Sequence, residues 1–225
     1  QAHPEAVPGA RNVASSLVYN NKLYLLHGQG YGKIRIGFLN DIWSFSPATT
    51  QWTWEDGSDY FEPVGNYGTS EIPAASNNPG GRIKPLSWEN NGKLYLFGGQ
   101  GYGIVKSNNN AGALNDLWRY DSDTNEWVWL KGSNDTHQAG TYGTINIPAD
   151  ANTPGARLGA VGWLLNGKYY LFGGSGYGAT SSVGRLHDLW SYDLATNRWT
   201  WIKGPNTVNQ VGTYGTINVA HANNL

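Results

Sequence analysis

One block of residues occurs three times along this chain, and the repetition constrains the fold more than any other feature of the sequence. Each copy opens with an arginine after a Pro-Gly turn, at Arg11, Arg82 and Arg157, so the period is 82 − 11 = 71 and then 157 − 82 = 75 residues. The same copies carry Trp-x-Trp at 52–54, 127–129 and 199–201 and Tyr-Gly-Thr at 67–69, 142–144 and 214–216. A fixed period predicts one repeated supersecondary unit that buries its apolar face against its neighbours.

Each repeat is predicted to contain four short strands. In the second repeat these are residues 83–89, 93–97, 116–120 and 126–130, and the first strand of the other repeats is at 12–19 and 158–164. The turn after the first strand is Asn20-Asn21, Asn90-Asn91-Gly92 or Asn166-Gly167, and Asn and Gly accept the positive φ of tight hairpins. Radial repetition of such small sheets predicts a β-propeller.

The order of motifs within a repeat resembles the kelch repeat, and the resemblance covers essentially all 225 residues. It is carried by Phe97-Gly98-Gly99, Tyr120-Asp121 and Trp127, and again by Phe172-Gly173-Gly174, Tyr192-Asp193 and Trp199. The first repeat departs from the pattern with Leu26-His27-Gly28 and Phe45-Ser46, and all repeats exceed the usual length of about 50 residues. The resemblance implies an all-β fold of kelch-like propeller blades with four antiparallel strands each. Residues 1–225 then form a single propeller region with blades at 8–78, 79–153 and 154–225.

Three blades do not close a ring, because propellers use about four to eight. Two hypotheses stay open: the chain is a fragment of a six- or seven-bladed propeller, or two copies associate head to tail to complete the ring. The chain starts at Gln1 and contains no methionine, so we interpret it as a processed form or a piece of something longer, without its targeting information.

Composition excludes several classes of function. Charged residues make up 14% of the chain and the formal net charge is −1, which argues against a nucleic-acid partner and a polybasic membrane anchor. No apolar run approaches the roughly 18 residues of a spanning helix, so no membrane insertion is expected. The absence of cysteine excludes disulfides and thiolate chemistry, and the five histidines lack metal-site spacing. We therefore expect no catalytic residue, no metal and no cofactor.

All long connections are expected on one rim of the blades, because antiparallel strands alternate direction. They are 28–39, 99–114 and 174–186 between the second and third strands, and 57–81, 132–156 and 204 onward after the fourth. Loops beyond about 12–15 residues are usually functional. The repeated loop tyrosines are predicted to pack the loops, rather than to bind phosphate or sugar; they are Tyr31, Tyr102, Tyr177, Tyr67, Tyr142 and Tyr214.

Candidate ligand-binding residues are those at which the repeats differ on this rim: Lys33, Arg35, Phe38, Tyr60, Phe61, Lys106, His137 and Arg185. Drift in solvated loops is the alternative explanation of the differences. Residues 121–125 are predicted to form a hairpin turn rather than a calcium loop. Asp41, Asp116 and Asp188 are predicted to accept hydrogen bonds from neighbouring backbone amides.

Kelch-like propellers commonly serve as interaction scaffolds, so the first hypothesis is a non-enzymatic binding module for a protein or glycan ligand, secreted or at the cell surface. One alternative is a structural subunit of a surface assembly or fibre. Another is a kelch-like enzyme with its site in the central channel, although the oxidase type needs a cysteine and the specifier type a Glu-x3-Asp-x3-His run, both absent here. A lectin should show an exposed aromatic beside Asn or Asp, and an enzyme a polar pocket with a perturbed carboxyl or histidine.

Overall fold

A computed structural model describes residues 6–105 and 111–220, and these contain β-strands, turns and irregular loops but no α-helix. Within those ranges no helix is long and apolar enough to cross a membrane. The chain divides into two compact units, one of residues 1–138 and 156–159 and the other of residues 139–155 and 160–225.

The first unit contains two antiparallel sheets. The first sheet is built from β1 (Arg11–Asn12), β2 (Ser15–Tyr19), β3 (Lys22–Tyr31), β4 (Ile36–Ser46) and β5 (Gln51–Asp56). The second is built from β6 (Arg82–Ile83), β7 (Leu86–Asn90), β8 (Lys93–Gly101), β9 (Gly112–Asp121) and β10 (Glu126–Lys131). In each sheet the two short strands pair in succession with the same neighbour, so that they act as one edge strand of a four-stranded sheet.

The second unit contains the third sheet. After β11 (Arg157–Leu158), which belongs to the first unit, follow β12 (Val161–Leu165), β13 (Lys168–Tyr177), β14 (Val183–Asp193) and β15 (Arg198–Lys203). β12 pairs with β13, β13 with β14 and β14 with β15, all antiparallel. The predicted all-β fold of three sheets with four antiparallel strands is therefore confirmed.

The predicted hairpin turns are also confirmed. Asn20 and Asn21 have φ of 47° and 56°, and Asn91 and Asn166 have φ of 50° and 51°. The turn at residues 121–125 is closed by a hydrogen bond of 2.8 Å from the Asn125 amide to the Asp121 carbonyl. Asn tolerates this left-handed backbone better than other side chains, because its short polar side chain bonds locally.

Two predicted boundaries were wrong. The first strand of each repeat is interrupted by a residue with positive φ, namely Val13, Lys84 or Gly159, so that it forms two pieces. The glycine-rich connection predicted as a loop at 28–39 is mostly strand, since β3 continues to Tyr31 and β4 already begins at Ile36. Glycine lets these strands run close to the edge strand: a Cβ on Gly30 would lie 2.4 Å from the Ala10 carbonyl oxygen.

The kelch-like diglycine marks an irregularity in the central strand pair. The ladder shifts register between Leu26 and Gly28, and at the same place in the other sheets, between Phe97 and Gly99 and between Phe172 and Gly174. The residue skipped is Gly98 or Gly173, with φ of 63° and 67°, but it is His27 in the first sheet, with φ of 58°. A bulge with positive φ normally takes glycine, so the first sheet carries local strain here.

The core of the first unit lies between its two sheets. Its buried side chains are Tyr24, Leu26 and Ile42 from the first sheet, Leu94, Leu96, Trp118, Tyr120 and Trp127 from the second, and Tyr67 from the loop between them. The long loop after β5 thus contributes to the core of the following sheet, and this fixes where its rim residues lie.

Candidate functional site

The long loops are anchored on their own sheets by the same pair of backbone hydrogen bonds. In the first sheet the Lys33 amide donates to the Asp59 carbonyl (2.7 Å) and the Glu62 amide to the Phe38 carbonyl (2.6 Å). The equivalent bonds are Ile104 to Asn134 and His137 to Ala113 in the second sheet, and Ala179 to Asn206 and Asn209 to Arg185 in the third. The start of each long loop is therefore held against the β-hairpin of the same repeat.

This anchoring gathers four of the predicted ligand-binding residues into one rim patch, defined here as Lys33, Ile34, Arg35, Ile36, Tyr60 and Phe61. Ile34 is 67% exposed and Tyr60 50% exposed, and Ile36 is also exposed. The Arg35 Cζ lies 4.0 Å from the centre of the Phe61 ring, and the Lys33 Nζ lies 3.2 Å from the Asp59 carboxylate. The cation–π and ion-pair contacts orient the two cations beside exposed apolar side chains.

The other four candidates are Phe38, His137, Arg185 and Lys106. Phe38 is half-buried and its ring centre is 6.0 Å from that of Tyr102 in the second sheet. His137 is exposed on the loop after the second sheet, where its Nδ1 is 2.9 Å from the Thr136 Oγ1. Arg185 is exposed in the second unit, and Lys106 falls outside the described residues. Within the first unit, the structure thus joins Lys33, Arg35, Tyr60 and Phe61 and does not join Phe38 or His137 to them.

A polar cleft of about 470 Å³ flanks the rim patch. It is lined by Asn40, Asp56, Gly57, Ser58, Pro63, Val64, Ala75, Asn77 and Asn78. The Asn40 amide nitrogen donates to the Pro79 carbonyl (3.2 Å), and its oxygen accepts the Ser58 amide (2.9 Å). The segment 56–64 therefore lines the cleft with its ends and supplies Tyr60 and Phe61 to the patch from its middle.

Asp56 is the ionisable group of the cleft lining. Its carboxylate accepts a hydrogen bond of 2.9 Å from the Trp127 indole. Burial raises the pKa of Asp56, although the Gly57 amide and the Trp127 indole oppose the shift. A single carboxyl can bind a hydroxyl or an amide, but it gives no acid–base pair by itself. The sequence did carry a signal for it, because the other repeats have Lys131 and Lys203 at this position.

Tyr67 completes a buried cluster around Asp116. The Arg82 guanidinium donates to both carboxylate oxygens of Asp116, at 2.7 and 2.8 Å, and both side chains are fully buried. Asp116 Oδ2 also accepts the Trp118 indole (2.7 Å) and the Tyr67 hydroxyl (2.7 Å). Burial and the Asp116 charge raise the pKa of Tyr67 well above 10, so its hydroxyl stays a donor.

The cluster recurs with one difference between repeats. In the second unit, Asp188 accepts the Trp190 indole (2.7 Å) and the Tyr142 hydroxyl (2.6 Å). In the first sheet, Asp41 accepts the Arg11 guanidinium (2.6 and 2.7 Å) and the Trp43 indole (2.7 Å), and no tyrosine of the described chain reaches it. The predicted role of these aspartates as acceptors of backbone amides was therefore wrong.

The predicted packing role applies to some of the loop tyrosines and not to others. Tyr67 and Tyr142 are buried, at 1% and 5% exposure, which confirms that they pack the loops. Tyr102 is buried as well, whereas Tyr31 is exposed. Tyr214, the third member of the series, is 97% exposed. Tyr177 is half-buried, so the burial of these tyrosines differs between repeats.

His27 is the one histidine buried in the core of the first unit among the described residues. Burial, the Arg82 charge and the Arg11 charge lower its pKa well below 6.5, against a backbone contact with Leu39 that raises it. Its ring lies 6.4 Å from that of Trp127. Within the described chain, no three His, Asp or Glu side chains are grouped so that they could hold a metal ion.

Comparison with known proteins agrees with this architecture. Residues 85–134, which span most of the second sheet, match the family profile of the Kelch motif. The chain is 24% identical over 212 residues to Kelch domain-containing protein 3 of Bos taurus and to that of Mus musculus. In both cases the alignment covers 88% of this chain and 43% of the relative, so the chain spans less than half the length of these proteins.

A solved structure, titled "Structure of YjhT", is similar in fold. The TM-score is 0.54 at 19% sequence identity, over 87% of this chain and 53% of YjhT. At that identity the likeness concerns the fold alone. The motif match, the relatives and the four-stranded antiparallel sheets agree with each other: residues 85–134 carry a Kelch motif, and the three sheets have the fold of kelch-like β-propeller blades.

Proposed function

We propose that this chain is a binding module that takes a protein ligand on the rim patch. Kelch propellers are in general protein-binding modules. The observation that carries the proposal for this chain is the exposure of Ile34, Ile36 and Tyr60 on a hairpin and a loop segment that a backbone hydrogen bond joins. Neighbouring apolar side chains with a polar border are the usual character of protein contact sites.

The rim patch is also preorganised, because its segments are held together in the free chain. Backbone hydrogen bonds tie its hairpin to the start of the long loop, through Lys33 to Asp59 and Glu62 to Phe38. The Arg35 guanidinium already lies on the Phe61 ring. A surface that is held in place before binding loses little conformational entropy when the ligand arrives. We therefore expect a short peptide segment with apolar side chains to bind there.

A glycan ligand is the second candidate, and one observation favours it. Tyr60 is a half-exposed aromatic next to Asp59, and the adjacent cleft offers Asn40, Asn77 and Asp56. An aromatic face with amides and a carboxyl beside it suits the apolar and hydroxyl sides of a sugar ring. The expected extracellular or cell-surface location stays a prediction, and so does the enzymatic alternative, for which Asp56 supplies one carboxyl.

The test presents immobilised chain to a displayed peptide library and, separately, to a glycan array. Selected ligands are titrated against wild type, against the rim variants Ile34→Ser and Tyr60→Ala, and against Val18→Ser. Val18 is as exposed as Ile34 but lies next to the turn at Asn20, at the opposite end of the sheet.

We expect selected peptides to bind wild type and Val18→Ser equally and both rim variants at least about tenfold more weakly. Binding of peptides that neither rim substitution weakens would contradict the rim patch as the site. Glycans that bind in a Tyr60-dependent way, without any peptide, would favour the second candidate.

A further inference from the structure

We propose that a second copy of this chain docks on the first sheet and places its Tyr214 against Arg11, Asp41 and Trp43. This contact uses the faces of the first and third sheets and not the rim patch, so it goes beyond the proposed ligand site. A seat is defined here as the aspartate and the two tryptophans on which a loop tyrosine packs. Two seats hold their tyrosine, Tyr67 or Tyr142, whereas no tyrosine of the described residues occupies the seat of the first sheet.

The first occupied seat lies in the first unit. The Tyr67 ring is 4.7 Å from the Trp118 ring and 5.2 Å from the Trp129 ring, which stands perpendicular to it. Its hydroxyl donates to Asp116. The amide of Glu71 donates to the Trp129 carbonyl at 2.8 Å. Ring packing, a hydrogen bond to a buried charge and a backbone bond therefore act together.

The second occupied seat repeats these contacts in the second unit. The Tyr142 ring is 4.8 Å from that of Trp190 and 5.1 Å from that of Trp201, again perpendicular. Its hydroxyl donates to Asp188, and the Asn146 amide donates to the Trp201 carbonyl at 2.8 Å. Two independent seats with the same geometry define what the Tyr-Gly-Thr segment of a long loop binds.

The third long loop has the sequence of an occupant and contains the same turn. Residues 213–218 read Thr-Tyr-Gly-Thr-Ile-Asn, identical to residues 141–146. Asn218 has φ of 62°, the same value as Asn146, and the Val219 amide bonds the Thr216 carbonyl at 3.1 Å, as Ile147 bonds Thr144. The turn at residues 216–219 therefore has the conformation found in the docked loop, and a preformed turn loses little entropy on docking.

This loop nevertheless exposes its apolar side chains. Tyr214, Val211 and Ile217 all project into solvent in the isolated chain, with Tyr214 at 97% exposure. In the two seats described above, the equivalent tyrosine is buried. Exposed apolar side chains grouped on one preformed loop indicate a surface that is covered by a partner.

The first sheet offers the matching seat. Arg11 and Asp41 form the same bidentate pair as Arg82 and Asp116, and the Trp43 indole bonds Asp41. Trp43 is half-buried and Trp54 is 44% exposed, and their rings stack 6.2 Å apart. These are the counterparts of Trp118 and Trp129, so that the seat is built but lacks its tyrosine.

The surfaces around loop and seat are also apolar. On the third sheet, Val161, Trp163, Leu165 and Phe172 are exposed, and Phe172 corresponds to Leu26, which is fully buried in the core of the first unit. On the first sheet, Leu23 is exposed where its counterpart Leu94 is fully buried. Burial of both faces in one contact follows the pattern by which repeats cover each other.

The loop and its seat are different surfaces, so one docking event leaves a free loop on one copy and a free seat on the other. Such a head-to-tail contact either closes on itself or continues to further copies. Since the chain has a formal net charge of only −1, repulsion between copies is weak. We expect two copies to satisfy both contacts.

The test is the mass of the full chain by light scattering between about 1 and 200 µM, a span that brackets the affinities of ordinary self-association. Wild type is compared with Tyr214→Ala and Tyr214→Phe on the loop, and with Trp54→Arg on the seat. Ile104→Ser serves as the control, because Ile104 is an exposed apolar residue that follows β8 of the second sheet, and the proposed contact uses the first and third sheets. The substituted side chains are exposed in the isolated chain, so these variants keep their fold, which circular dichroism verifies.

We expect wild type and Ile104→Ser to approach twice 24.5 kDa. Tyr214→Ala and Trp54→Arg should raise the dissociation constant about a hundredfold or more, and Tyr214→Phe about tenfold. A mass of 24.5 kDa for wild type throughout would overturn the proposal. Association that Tyr214→Ala leaves unchanged would overturn it as well. Peptide binding at the rim patch is unaffected by Tyr214→Ala in either case, so the two proposals fail separately.

Discussion

Removal of the Tyr67 hydroxyl is the sharpest perturbation of the loop seat. In Tyr67→Phe the ring keeps its packing on Trp118 and Trp129, but Asp116 loses a donor at 2.7 Å in a fully buried site. A hydrogen bond to a charged group contributes about 1.5–3 kcal/mol. Asp116 retains Arg82 and the Trp118 indole, so we expect a loss of about 2 kcal/mol in the free energy of unfolding.

Removal of the whole ring extends the series. Tyr67→Ala also takes away a side chain that is only 1% exposed, and such truncations of aromatic residues cost about 3–5 kcal/mol. Because burial raises the pKa of Tyr67 well above 10, its hydroxyl is protonated below pH 10 in both the folded and the unfolded protein. The difference in the free energy of unfolding between wild type and Tyr67→Phe should stay constant from pH 6 to 9. It should shrink above pH 10, where the tyrosine ionises in the unfolded protein.

The assay is urea unfolding followed by tryptophan fluorescence, with the slope m compared between variants. Tyr60→Phe is the control, since Tyr60 is half exposed, and its unfolding free energy should change by less than about 0.5 kcal/mol. A loss below about 0.5 kcal/mol for Tyr67→Phe, or an equal loss in Tyr60→Phe, would refute the reasoning.

Three further predictions concern other parts of the chain. His27 has a lowered pKa, so folding favours its neutral form. The free energy of unfolding should therefore fall by about 1.4 kcal/mol per pH unit below 6.5, and by less in His27→Gly. Urea midpoints measured from pH 8 to 5 check this difference. Asp56 has a raised pKa, so Asp56→Asn should raise the thermal midpoint at pH 7, and the gain should vanish near pH 3. Gly140→Ala should destabilise strongly, because its Cβ would lie 2.6 Å from the Gly155 amide nitrogen, whereas Gly212→Ala, 3.7 Å from Tyr214, should be tolerated.

Each of these has a contradicting result. An identical dependence of the urea midpoint on pH for wild type and His27→Gly would mean that His27 does not lower the stability at acid pH. A lower midpoint for Asp56→Asn at pH 7 would mean that its charge is favourable in the fold. Equal midpoints for the two glycine variants would contradict the close approach of backbones in the second long loop.

Local chemistry explains what the sequence could predict. The Asn turns and the Asp121 turn were predictable because Asn and Gly populate positive φ wherever a tight hairpin needs it. The number of strands followed from turn spacing and the repeat period. The predicted rim candidates Tyr60 and Phe61 came together with Lys33 and Arg35 because hairpin and loop were correctly placed on one rim.

Contacts between distant residues were not predictable in this way. Tyr67 and Asp116 are 49 positions apart, and nothing local in either segment indicates that they meet. A signal existed, because arginine, aspartate and tyrosine recur together in all three repeats. Repetition alone does not say that the tyrosine bonds the aspartate of the next repeat. The cleft was missed since Asn40, Asp56 and Asn77 converge from separate segments.

The predicted loops at the glycine-rich segments failed for a different reason. Glycine is a frequent loop residue, but residues 28–31 pair with the edge strand β1, which passes too close for a side chain at Gly28 and Gly30. The period of the chain carries no information on such close approaches. The same holds for His27, whose positive φ is required by the bulge and not suggested by its residue type.

Hydrogen–deuterium exchange of the three homologous loop segments tests most directly the claim that each long loop seats its tyrosine on the following sheet. The amides of Glu71 and Asn146 donate to tryptophan carbonyls at 2.8 Å, so peptides that cover them should be protected in the monomer. The segment 213–219 should exchange fast at low concentration, because Tyr214 is exposed, and become protected as copies associate. Equally fast exchange of all three segments under every condition would contradict the account.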